Sequence, residues 1–89
     1  MGTAEQTTDV VVSIVWRLVF VLLDPHCRFT VGAVPGPDST TIVVRVAQKD
    51  LGKVIGKRGA IVHSLRVIVG AIGMAAKHSY SLDVDTHPI

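Results

Sequence analysis

The 89-residue chain is poor in cysteine, in aromatic rings and in long uninterrupted apolar runs. Its one cysteine, Cys27, excludes an internal disulfide framework and fits a reducing, cytoplasmic setting. The four histidines, His26, His63, His78 and His87, fall at no zinc-ligand spacing with Cys27. No Ser/His/Asp set can be placed by spacing either, so no metal, no cofactor and no enzymatic activity are expected. The longest apolar run, residues 10–23, is 14 residues with Arg17 inside it, short of the about 20 that a membrane span requires. It reads as a buried core helix, and no membrane partner is expected. The opening MGTAEQTTD has no basic segment ahead of an apolar one and is not read as a signal peptide.

What is present is aliphatic: 48% of the residues are hydrophobic and only 4% aromatic, so the core must be built from small branched side chains. The length suits one core and not two. The net charge is only +2, but it is unevenly spread. Arg45, Lys49, Lys53, Lys57, Arg58 and Arg66 are six of the nine cations, and between Arg45 and Arg66 the only acid is Asp50. A basic middle between mildly acidic ends is an electrostatic footprint for an anion, although a solvated helix face has the same signature.

Periodicity orders the elements. Residues 10–23 are rich in β-branched side chains, which favours strand, but the run is too long for one. It predicts a helix capped by Thr8 or Asp9 and stopped at Asp24-Pro25. RFTVGAV (28–34) alternates Phe29, Val31 and Ala33 on one face and predicts a strand; PGPDS (35–39) predicts a turn. TTIVVRVA (40–47) sets Ile42, Val44 and Val46 against Thr41, Val43 and Arg45, a second strand in a hairpin with the first. KDLGKVI (49–55) predicts a short helix with Leu51, Val54 and Ile55 as its stripe. Residues 60–77 predict a long helix that buries Ile61, Leu65, Ile68 and Ile72. Val62, Val67, Val69 and Met74 fall outside that stripe, as a dimer face or as part of one wide buried face. SYSLDVD (79–85) alternates Tyr80, Leu82 and Val84, a half-buried strand. The expected fold is α+β in the order α-β-β-α-α-β, with three helices on one face of a three-stranded sheet. Residues 1–8 read as a flexible N-terminus, 9–86 as the domain and 87–89 as a short tail.

One stretch carries chemistry. In GKVIGKRGAI (52–61), Gly52, Gly56 and Gly59 are interleaved with Lys53, Lys57 and Arg58. A helix starting after Gly59 offers unpaired N–H groups and a partial positive charge, and flanking glycines let a phosphate come close. Lys57 and Arg58 add two full charges. The bare G-x-x-G pattern is weak, and GAIG (70–73) is a second copy, without cations and inside the long helix, where close helix packing explains it. A nucleotide-binding P-loop is the poorer match, because the glycine spacing is one residue short and Arg58 stands where a hydroxyl belongs.

DLGKVIGKRGAIVHSLRVIV, above all VIGKRG, resembles the KH domains, in which a GXXG loop between two helices clamps about four nucleotides. The helix and strand ahead of that core are similar to the type II arrangement. Length and order resemble the small single-domain bacterial RNA-binding proteins of the KhpA family, over about residues 10–86. The chain departs from such proteins at Gln48 and Lys49, where Pro-Glu is common, and in a β-branched first helix carrying Trp16. The resemblance implies single-stranded RNA as partner, a chaperone-like regulatory role, and a homodimer or a heterodimer with a second KH protein (KhpB, also called Jag). It also implies links to cell elongation and cell-wall synthesis.

On that reading Gly56, Lys57, Arg58 and Gly59 hold the sugar-phosphate chain and Lys53 reaches a neighbouring phosphate. Val54, Ile55 and Ile61, with Val44, are candidates for an aliphatic floor under the bases; ordinary core membership is the competing role for these four. Only four aromatic residues argue against a platform of stacked rings. The alternative from a different class is a protein-interaction or dimerisation module with little RNA binding of its own.

Overall fold

A computed structural model describes residues 4–23 and 25–86. Helix α1 (Ala4–Leu22) is followed by strands β1 (Phe29–Pro35) and β2 (Ser39–Val46), helices α2 (Leu51–Ile55) and α3 (Ala60–Ala76), and strand β3 (Ser79–Thr86). Short 3-10 turns at Gln48–Asp50 and Lys57–Gly59 introduce α2 and α3. The sheet order is β1-β2-β3, with β1 antiparallel and β3 parallel to β2.

The strand alternation decides which side of the sheet is covered. Phe29, Val31 and Ala33 stand in register with Val46, Val44 and Ile42, and Ile42 and Val44 with Leu82 and Val84. All of them belong to the core cluster or pack against it, as do the inner faces of the three helices. Thr41, Ser81 and Asp83 line the other face, where Thr41 and Ser81 hydrogen-bond across the parallel pair at 3.1 Å. The expected α+β arrangement is the observed one.

Helix α1 overrides its strand-like composition because Val11, Val15 and Val19 recur every fourth residue and reach the core together. It begins earlier than expected. Thr8 and Asp9 lie inside the helix and cap nothing; the Thr8 hydroxyl is instead hydrogen-bonded to Tyr80 Oη at 2.9 Å, tying the helix to β3. The helix thus takes in residues expected to belong to a flexible N-terminus, while the tail at 87–89, with His87, lies outside the described residues.

Helix α3 is rotated relative to expectation. Its buried residues are Val62, Leu65, Val69 and Gly73, with Ile61 and Ile72 only partly covered and Ile68 exposed. Val62 and Val69, expected outside the stripe, are core, whereas Val67 and Met74 are exposed. By length and composition Lys57–Ala76 would suffice to cross a membrane, but in this fold one of its stripes packs into the sheet.

Candidate nucleic-acid interface

The link between α2 and α3 is a chain of unusual backbone angles. Gly56 has φ +76°, Arg58 +55° and Gly59 +73°, so three of the four GKRG residues are left-handed. The two glycines adopt that region without penalty; for Arg58 it costs about 1–2 kcal/mol. Strain held in an exposed basic loop is a sign of a position selected for something other than stability. The Gly59 N–H closes the turn onto the Gly56 carbonyl at 3.2 Å, and Gly59 leads directly into α3.

The two glycines differ in what surrounds them. A Cβ on Gly56 would lie 2.7 Å from Ile61 Cγ1, so the bare backbone there is needed by the protein's own side chain. A Cβ on Gly59 would meet only Val62, at 3.9 Å. Both were expected to clear the way for a phosphate; Gly59 is the one with open space. Lys57 and Arg58 are exposed, and neither is paired with an acid among the described residues. Two unneutralised cations beside the positive N-terminal end of a 17-residue helix, whose first N–H is taken by the Lys57 carbonyl, make an anion cradle.

Lys53, expected to reach a neighbouring phosphate, keeps a partly exposed side chain. Its Nζ lies 3.5 Å from Asp50 Oδ1 and 3.9 Å from Cys27 Sγ, so it turns back from the loop towards the start of α2. Asp50, the one acid of the basic stretch, is buried. Of the apolar floor candidates, Val54 and Val44 are 0% exposed and are core, so neither presents a surface to a base. Ile55 and Ile61 are half-buried and keep some surface.

Helix α3 has two open flanks. On the side of Ile61 and Ile68 an apolar groove of about 370 Å³ runs between α3 and Leu18, Val21 and Leu22 of α1. On the side of Gly59, Arg66 and Gly70 the helix faces the edge strand β3. There Arg66 Nε donates to the Leu82 carbonyl at 3.0 Å. Gly70 is open, with nothing within 4 Å of a Cβ, whereas a Cβ on Gly73 would sit 2.5 Å from the His78 carbonyl oxygen. Within GAIG, close packing therefore holds for Gly73 and not for Gly70. Sequence reasoning counted Arg66 only as charge; its spacing of seven from Gly59, two helical turns, was the available signal that it shares a face with the loop.

Helix, hairpin, short helix, glycine-flanked basic loop, long helix and a parallel return strand together define a KH domain of type II. The chain belongs to the KhpA/KhpB KH-domain family, whose family model matches residues 6–84. RNA-binding protein KhpA of Borreliella burgdorferi is 31% identical over 67 residues, covering 75% of this chain and 82% of its own. RNA-binding protein KhpA of Treponema pallidum is 38% identical over 63 residues, covering 71% and 79%. The crystal structure of an Aquifex aeolicus Era variant with bound GDP and aluminium fluoride superposes with a TM-score of 0.56 at 15% identity. That match covers 91% of this chain and 32% of the other, and it speaks to fold alone.

Proposed function

We propose that this protein binds single-stranded RNA, with the GKRG loop gripping the sugar-phosphate chain. The observation that carries the reading is the pair Lys57 and Arg58, exposed and unneutralised beside the N-terminus of α3 on a strained left-handed loop. Relatives named RNA-binding protein KhpA support it. Ile55 and Ile61 offer aliphatic surface for the bases, and the partly exposed Lys53, one turn ahead of the loop, reaches a neighbouring phosphate.

In this reading the protein is a non-enzymatic, cytoplasmic RNA chaperone or post-transcriptional regulator. It acts as a homodimer or beside a second KH protein of KhpB type, in cell elongation and cell-wall synthesis. Two or three phosphate contacts give a log–log salt slope of about −1.4 to −2.1 on single strands. Fluorescence anisotropy of a labelled oligoribonucleotide across a salt series measures it, and a flat response would remove the phosphate clamp.

A second reading has its own observation. Val21, Val67 and Met74 are 80%, 57% and 84% exposed, bare aliphatic surface that a partner could cover. As a pure interaction module the protein would self-associate and bind no RNA, which solution mass with and without oligonucleotide separates.

A further inference from the structure

We infer that Arg66 reads a base, taking an edge that presents two adjacent acceptors, the O6/N7 edge of guanine or the O2/N3 edge of cytosine. The inference rests on the RNA reading above and adds a specificity-determining residue to it. Arg66 lies two turns beyond Gly59 on the same face of α3, about 10.5 Å along the axis. Helical side chains lean towards the N-terminus, which brings its guanidinium back towards the loop. A nucleotide whose phosphate sits at GKRG thus has its base beside Arg66.

The side chain is held for this task. Its Nε–H is engaged by the Leu82 carbonyl on the edge strand, so the guanidinium plane is fixed while the residue as a whole stays exposed. No acid pairs with it among the described residues. Arginine carries five N–H donors in a rigid fork; one is used, and the terminal nitrogens keep theirs. One turn on, Gly70 has nothing within 4 Å of a Cβ, which leaves room beside the fork. A fork of donors matches two neighbouring acceptors. Adenine offers an acceptor next to an amino donor, and the donor opposes the guanidinium. Phosphate binding by Arg66 is the weaker alternative, because Lys57, Arg58 and the α3 amides already serve the chain at the loop.

The test uses the intact protein and labelled uridine octamers carrying one central guanosine, cytidine or adenosine. The guanosine or the cytidine octamer should bind about tenfold more tightly than the adenosine octamer. If guanosine is the favoured base, 7-deazaguanosine, which lacks N7, should lose the advantage and inosine should keep it. Arg66→Lys keeps the charge but not the fork, so it should abolish the preference among the octamers. Because the base analogues are tested on the unaltered protein, a variant that misfolds does not blunt the test. Equal binding of all three octamers would overturn the inference and leave the RNA reading intact. A uniform loss in Arg66→Gln, which removes the charge, with a salt slope shallower by about 0.7, would assign Arg66 to phosphate and overturn it too. No binding of any octamer would remove both.

Discussion

Ile61 fills the space that a side chain on Gly56 would need, approaching to 2.7 Å of a Cβ built there. The first residue of the basic loop is therefore fixed twice, by its left-handed φ and by the first turn of α3 closing over it. Gly59 is fixed once, by φ alone. Gly56→Ala should cost about 2 kcal/mol or more, from an extended positive-φ conformation open essentially to glycine alone together with overpacking, and Gly59→Ala about 1 kcal/mol from αL strain. Urea denaturation of the two variants checks the order; equal costs would mean that Ile61 yields easily.

Changing Lys57 and Arg58 together to Asp should abolish RNA binding with the melting behaviour nearly unchanged. Both side chains are exposed, where substitutions usually shift stability within about 0.5 kcal/mol. Two attractive charges become repulsive, and the new carboxylates themselves compete for the α3 amides. Unchanged affinity in a folded double variant would place RNA elsewhere.

Arg58→Gly separates stability from function at one position. Relieving the positive φ should stabilise the fold by up to about 1 kcal/mol. Losing the cation should weaken RNA binding and make the salt slope shallower by about 0.7. A variant that is less stable and equally tight would contradict both halves.

The two glycines of GAIG should respond in opposite ways. Gly73→Leu drives a side chain into the His78 carbonyl and should destabilise by about 1–3 kcal/mol. Gly70→Ala adds a Cβ that meets nothing within 4 Å and replaces a poor helix former, so stability should hold or rise by up to about 1 kcal/mol. On the Arg66 flank Gly70→Leu should obstruct RNA. Thermal melting alongside anisotropy tests the pair.

Strands and loop were legible in the sequence because alternation and glycine spacing are local signals. Ile42, Val44 and Val46 face the core as their alternation requires, and GKRG joins two helices as its composition suggests. The facing of α3 was not legible. Val62 and Val69 are as apolar as Ile61 and Ile68, so periodicity offers two stripes, and only the packing partners choose between them. The start of α1 escaped for a related reason: Thr8 is a good cap in isolation, but its hydroxyl bonds to Tyr80, 72 residues away. The separate roles of Gly56 and Gly59, the strain at Arg58 and the reach of Arg66 to Leu82 are likewise tertiary facts, invisible to spacing.

The parallel pairing of β2 and β3 has a kinetic consequence. The hairpin of β1 and β2 closes over residues 36–38, whereas β3 must return across residues 47–78, which hold the whole of α2, the loop and α3. Closing a long segment is entropically slower than closing a short one. The hairpin should therefore form early and β3 dock late, and α2 and α3 acquire their shared support only at that step. Pulse-labelled amide exchange during refolding should protect Val31 and Val44 before Leu82. RNA added during refolding should be captured only with the slower phase, so a nascent chain stays blind to RNA until its last strand is in place.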